Sequence, residues 1–175
     1  MAEILDPKHF IENSDANVIL GGMSNQISIR TYRPEDFDAV TRFWRRAREV
    51  AMPEMTARLG YSFEMDCRFF REHIVPSCQL WVAERNDMPI AFMGIKADFL
   101  DYLYVDPDYH RQGIGQAMLV HARLLSPEHL WLYTHQANLI ARAFYEKNGL
   151  VAEKYGVSPP PESEPDVEYH WWLDR

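Results

Sequence analysis

One segment constrains the fold more than any other. A strand-like run, Leu100-Asp101-Tyr102-Leu103-Tyr104-Val105, meets the turn residues Asp106-Pro107-Asp108. Then comes Tyr109-His110-Arg111-Gln112-Gly113-Ile114-Gly115-Gln116-Ala117-Met118-Leu119, which opens an apolar helix reading from Gly113 to Leu125, broken by Ser126-Pro127. The first amides of a helix have no intrahelical partner, and the helix dipole adds partial positive charge there. Glycine at 113 and 115 lets a ligand approach the backbone closely, and Arg111 adds a fixed positive charge. The pattern reads as a pyrophosphate cradle; an ordinary tight strand-to-helix turn would look the same locally.

Two familiar phosphate loops do not fit. A P-loop needs Lys followed by Ser or Thr after its second glycine, where this chain has Gln116-Ala117. The dinucleotide fingerprint needs a third glycine at the position of Met118, and the acidic residue expected about 20 residues further on is not evident.

A second segment narrows the choice. Leu130-Trp131-Leu132-Tyr133-Thr134 reads as a buried strand. It is followed by Asn138-Leu139-Ile140-Ala141-Arg142-Ala143-Phe144-Tyr145-Glu146-Lys147-Asn148-Gly149-Leu150. In these two motifs, in this order and spacing, the chain resembles the GNAT superfamily of acetyl-CoA-dependent N-acyltransferases. The family's loop is Q/R-x-x-G-x-G/A, and its second motif is a strand followed by N-x-x-A-x-x-F-Y-x-x-x-G-F. His110 stands where Gln or Arg is usual, and Leu150 replaces the last Phe. The resemblance covers residues 27 to 174. It implies an α/β (α+β) GNAT fold: a mostly antiparallel, twisted sheet of about seven strands, splayed at the acyl-CoA site and flanked by about four helices. Residues 27–175 are expected to form a single domain, with residues 1–26 as an N-terminal extension.

Elsewhere the pattern is consistent with this order. Ile27 to Tyr32 alternates as a first strand. Pro34 starts a helix with Phe37, Val40, Phe43, Trp44 and Ala47 on one face. Arg42, Arg45, Arg46 and Arg48 lie opposite and read as a solvated basic face, with an acidic partner as the alternative. Met52-Pro53-Glu54-Met55 breaks this helix. Glu64 to Ile74 reads as a second helix with Met65 and Phe69 inward and Phe70 and His73 as further candidates. Leu80–Glu84 and Ile90–Ala97 form a hairpin around Asn86-Asp87-Met88-Pro89. Val151–Tyr155 and Val167–Leu173 are the last strands, joined by a stiff proline-rich loop, Ser158 to Asp166.

Composition bounds the function. The chain has 175 residues, 47% of them hydrophobic, enough for one cored domain. No apolar run reaches about 18 residues, so no membrane span is expected. The first residues lack a basic region and a long apolar core and do not read as a signal peptide. Two cysteines without metal spacing fit a reducing cytoplasm, and seven scattered histidines predict no metal site. A net charge of −8 argues against nucleic-acid binding and is compatible with a cationic acceptor.

The resemblance also implies roles. Acetyl-CoA is the cosubstrate. Backbone at Leu103, Tyr104 and Val105 would pair with the pantetheine arm, a Val105 N–H polarising the thioester carbonyl. His110, Arg111, Gln112, Gly113, Ile114, Gly115 and Gln116 would hold the pyrophosphate. Asn138 would bond the pantetheine, or simply cap its helix. Phe144 and Tyr145 would border the acyl-CoA. Tyr145 would return a proton to the leaving sulfur, its alternative being a core aromatic. The family's usual base position falls near Phe99, which cannot be a base. Asp101 is the candidate, placed by strand alternation on the face of Leu103 and Val105; attack by an amine deprotonated through water is the alternative, with Asp98 and His135 nearby. The acceptor pocket would be walled by Trp44, Met52, Met55, Tyr61, Phe63 and Phe99, with Glu162, Glu164 and Asp166 to meet a cation. The expected activity is acetyl transfer to a primary amine of a small molecule or peptide by direct attack in a ternary complex. A non-catalytic acyl-CoA-binding domain and an enzyme for longer acyl chains are the alternatives. The Tyr169-His170-Trp171-Trp172 run suggests burial, in the core or in a homodimer.

Overall fold

A computed structural model describes residues 18–20 and 27–174. The strands are β1 (Val18–Leu20), β2 (Ile27–Thr31), β3 (Gln79–Arg85), β4 (Met88–Lys96), β5 (Phe99–Val105), β6 (His129–His135), β7 (Val151–Val157) and β8 (Pro165–Trp172). The helices are α1 (Phe37–Ala51), α2 (Pro53–Leu59), α3 (Phe63–Phe69), α4 (Ile114–Leu125) and α5 (Leu139–Lys147). All the strands join one sheet in the order β1-β2-β3-β4-β5-β6-β8-β7. The seven expected strands are β2 to β8; β1 pairs antiparallel with β2 at the sheet's edge. The rest of the N-terminal extension lies outside the described residues.

Every neighbouring pair is antiparallel except β5 and β6. Those two are parallel and meet at one register position, Phe99 opposite Trp131. Beyond it they part, and the sheet opens as a wedge. A bulge between β4 and β5, at Gly94/Ile95, bends β5 where the parting begins. Gly94 fits closely there. A Cβ would stand 3.0 Å from the Tyr102 ring and 3.2 Å from Cys78.

Each face of the sheet has its own core. On one, Met118, Leu119 and Ala122 of α4 pack over Ile29, Met93 and Leu130. On the other, Val40, Phe43 and Trp44 of α1 pack over Val82 and Phe92, as the helical spacing of those residues predicts.

Three local readings change. Met52 does end α1, but Pro53 then opens a new helix, α2, because proline suits a first helical position. Ser62 caps α3, and a π turn over Phe70–Ile74 follows. The extra residue in that turn rotates the inward face. Phe70 and Ile74 are fully buried, while Met65 and Phe69 remain exposed. Nor is the arginine face of α1 merely solvated: Arg45 and Arg48 pair with buried Asp66, and Arg46 pairs with Asp106 and Asp108 after β5.

His121 on α4 is 5% exposed. Neither ring nitrogen has a hydrogen-bond partner, and the ring lies edge-on to Trp81 at 4.4 Å. Burial pushes its pKa down from 6.5 to about 4. The folded imidazole therefore stays neutral while the unfolded one takes up a proton, so stability falls as pH drops from 6.5 towards about 4. His121→Leu removes that contribution. Urea unfolding at pH 7 and pH 4.5 should show the variant losing on the order of 2 kcal/mol less than the wild type over that interval. Equal losses would contradict a neutral buried His121.

Candidate active site

Hydrogen-bond alternation turns β5 towards the open wedge. The Asp106 N–H donates to Ile90 O at 2.8 Å, just beyond the register pair Ala91–Val105. Bonded and non-bonded pairs alternate in an antiparallel ladder, so Val105 and Leu103 point their N–H and C=O groups away from β4. Past Phe99 no β6 strand meets them.

The glycine loop sits at the mouth of this wedge. Arg111 and Gly113 are left-handed, with φ of 61° and 79°. That geometry costs glycine little, and it lets Gly113 start α4. The first helical bond runs from Ala117 N to Gly113 O at 2.9 Å. The amides of Ile114, Gly115 and Gln116 thus precede any intrahelical partner. A Cβ on Gly113 would meet nothing within 4 Å, so open space lies over it. A Cβ on Gly115 would meet the Phe144 ring at 3.5 Å and Val105 at 3.6 Å, which seats the start of α4 tightly between β5 and α5.

Three tethers hold the loop. Arg46 donates to both Asp106 oxygens at 2.8 Å and to Asp108 at 2.9 Å. Arg85 donates to Gln112 Oε1 at 2.8 Å. His110 contributes its side chain as well as backbone: Nε2 donates to Val105 O at 3.1 Å. This residue, unusual for the motif, ties the loop to the end of β5.

Across the wedge lies α5. Asn138 caps it, accepting from the Ala141 N–H at 3.1 Å, and also borders the cleft described below. Tyr145 is 8% exposed, its ring 5.2 Å from Phe144 and 5.9 Å from Tyr169. Burial pushes its pKa well above the ordinary phenol value, and the nearby Tyr104 phenol pushes it further. Neither cause is a hydrogen bond. The phenol is held by packing and stays protonated; the same burial makes it a weaker acid than a free phenol.

A cleft of about 820 Å³ opens on the α1 side of the same strands. Met52, Met55, Tyr61 and Phe99 line it as expected. Trp44 lies beneath, buried edge-on to Tyr104, and Phe63 is on the surface away from the lining. Glu162 and Asp166 border the cleft; Glu164 is taken up by Arg58 at 2.6 Å.

Asp101 is not where strand alternation puts it. The bulge skips it: Ile95 pairs with Leu100 and Gly94 with Tyr102. Leu103 and Val105 pack against the α4 core, whereas Asp101 borders the cleft, bonded by Lys96 Nζ at 2.6 Å. His135 also lines the cleft, 3.5 Å from Glu162, while Asp98 sits at the β4–β5 turn and bonds His129. The sequence reading missed Glu168, a buried carboxylate in the cleft bonded by Tyr133, Lys154 and His170. Its partners come from three strands, so no local motif marks it. The alternation Asp166, Glu168, His170, Trp172 along β8 is the one signal available. Among the described residues no group of three His, Cys, Asp or Glu side chains is placed to hold a metal ion.

Comparison with known proteins agrees with this geometry. Residues 76–151 match the model of the acetyltransferase (GNAT) domain. The peptidyl-lysine N-acetyltransferase YjaB of Escherichia coli is 32% identical over 124 residues, covering 70% of this chain and 81% of that protein. The solution structure of apo YjaB from Escherichia coli superposes with a TM-score of 0.66 at 26% identity, over 82% of this chain and 96% of that one. A Bacillus anthracis structure in complex with acetyl coenzyme A has a TM-score of 0.50 at 20% identity, over 55% of this chain and 63% of that one, a likeness of fold. The chain belongs to the GNAT family of N-acetyltransferases.

Proposed function

We propose that this enzyme moves the acetyl group of acetyl-CoA to a primary amine, with a lysine side chain in a peptide as the acceptor that its cleft suits best. The observation that carries this reading is the wedge. It has a helix start with free amides on one side and a carboxylate-bordered cleft on the other, so two ligands can meet between β5 and β6. The similarity to a peptidyl-lysine acetyltransferase supports the acceptor class.

Acetyl-CoA supplies an acetyl group activated as a thioester. The chain's own groups fit such a molecule. The amides of Ile114, Gly115 and Gln116, with Arg111 beside them, would neutralise a pyrophosphate. Leu103 and Val105 offer a backbone edge to an amide-bearing arm, and the Val105 N–H would polarise the thioester carbonyl; the Tyr104 backbone, expected to join them, faces Phe92 of β4 instead. Asn138 and Phe144 would border the same arm. The amine must lose a proton before attack, and Asp101 and water in the cleft are the routes available. Lys96 Nζ already donates to Asp101 Oδ2 at 2.6 Å, so an acceptor amine would have to share that carboxylate or displace the lysine. Tyr145 would protonate the leaving sulfur.

Thiol release from acetyl-CoA, followed against lysine peptides, free amino acids, polyamines and aminoglycosides, tests the activity. Release on lysine peptides is expected; release confined to aminoglycosides would replace the acceptor class. Gly113→Glu and Gly115→Glu should each weaken acetyl-CoA binding by roughly a hundredfold or more: a carboxylate at 113 would stand in the open space over the loop, where the phosphates would lie, and one at 115 would be forced between Phe144 and Val105 beside the proposed pantetheine path. Unchanged affinity in both, measured by calorimetry, would contradict the cradle. Arg46→Met frees the loop and should weaken the same binding roughly threefold to tenfold; wild-type affinity would mean that the clamp does not matter to the ligand. Tyr145→Phe should lower kcat about ten- to a hundredfold with acetyl-CoA affinity retained. A wild-type rate in that variant would leave the phenol as packing alone.

A further inference from the structure

The last strand of the sheet, β7, is exposed along most of its length. From it Lys154, whose side chain is 72% exposed, sets its ammonium 2.8 Å from Glu168 Oε1 on the neighbouring strand. Glu168 is only 5% exposed, yet it borders the acceptor cleft.

The three donors on this carboxylate are unlike one another. Tyr133 OH donates to Oε2 at 2.7 Å, and His170 Nε2 donates to Oε1 at 2.7 Å. Both come from strands inside the sheet. His170 is braced in turn by His129 at 2.9 Å, and His129 by Asp98 at 2.8 Å. Lys154 is a long, flexible side chain in solvent, and such pairs are weakly held. Its ammonium, the largest cause, together with His170 and Tyr133 keeps the Glu168 pKa down at about 2, so the carboxylate is ionised throughout the working range. Remove Lys154, and an oriented anion remains in the cleft, with the lone-pair direction that Lys154 filled on Oε1 open.

The other carboxylates of the cleft do not offer this arrangement. Asp101 also carries a lysine ammonium, from Lys96, but lacks a Tyr and His donor pair such as orients Glu168, and Glu162 lies beside His135. Asp166 borders the cleft without the fixed pair of donors that orients Glu168. A primary alkylammonium already stands on Glu168, supplied by the chain itself.

We propose that Glu168 is a subsite for the ammonium group of the acceptor, a lysine ε-ammonium or similar alkylammonium, and that Lys154 occupies it in the free protein as a displaceable stand-in. The enzyme's own side chain then competes with its substrate. Tyr133 and His170 act as positioning residues that aim the carboxylate. The proposal rests on the acetyl-transfer reading for its meaning, but the occupancy of the subsite can be measured without turnover.

Two measurements on the full chain test it. In the first, KM for a lysine peptide is determined at saturating acetyl-CoA. Lys154→Met should lower KM about two- to fivefold, the gain expected on removing a weakly held competitor. Lys154→Arg, which keeps a cation, should stay near the wild type. Glu168→Gln should raise KM more than about tenfold and cancel the gain when combined with Lys154→Met. An unchanged or higher KM in Lys154→Met would overturn the proposal. In the second, n-butylammonium is titrated into lysine-labelled protein, and the Lys154 Cε resonance is followed by NMR. It should move towards its position in Glu168→Gln as the probe displaces it, and no movement at saturating probe would overturn the subsite. If butylammonium displaces Lys154 while no amine is acetylated, the acetyl-transfer reading fails and the ammonium subsite stands.

Discussion

A single strand contact organises this protein. Phe99 and Trp131 are the one register pair between β5 and β6, with rings 4.3 Å apart. Asp98 binds the same place three times. Its carbonyl accepts from Trp131 N at 2.9 Å, and its carboxylate accepts from Trp131 Nε1 at 3.2 Å and His129 Nδ1 at 2.8 Å. The His129 bond, chief among several, holds the Asp98 pKa below the usual carboxylate range. Closed at one end and bent by the Gly94 bulge, the two strands can only part at the other. The β5-α4-β6 connection is the one parallel crossover in the sheet, so it carries the start of α4 to the carboxyl end of β5. Ligands of open α/β sheets bind at such a place because strand ends and helix starts converge there.

Charge then divides the molecule's labour. The chain is acidic overall, at −8, yet several arginines brace the elements around the site. Arg46 bridges α1 to the turn after β5, and Arg45 and Arg48 anchor α1 to α3 through Asp66. Arg85 bonds Gln112 of the glycine loop, and Arg111 within the loop is exposed, with a left-handed backbone. On the far side, Asp101, Glu162, Asp166 and Glu168 border the cleft. The proposed anionic ligand and cationic acceptor would thereby be directed to opposite sides of the same pair of strands.

What could be read from the sequence follows the range of the interactions involved. The glycine loop, the cap at Asn138 and the apolar stripe of α1 are local, and their residues lie within a few positions of one another. They appear in the structure where the pattern puts them. Asp101 was misplaced because strict alternation fails at a bulge, and the bulge depends on the packing of Tyr102 against Gly94 and Cys78. The arginine face of α1 reads as solvated until Asp106 and Asp66, far along the chain, are brought to it. Glu168 has only the alternation of β8 as a local signature, since Tyr133 and Lys154 reach it from the two neighbouring strands and His170 alone is near it in sequence. The inward face of α3 was misread for another reason: a π turn changes the period on which the reading relied.

The central claim is that the parted strands and the loop at their mouth form one binding surface for acetyl-CoA. Amide hydrogen exchange, compared with and without saturating acetyl-CoA, tests it most directly. Protection should rise at residues 103–105 and 111–116 while the amides of β3 stay as they were. Protection confined to other segments, or none at 103–105, would mean that the wedge does not receive the ligand.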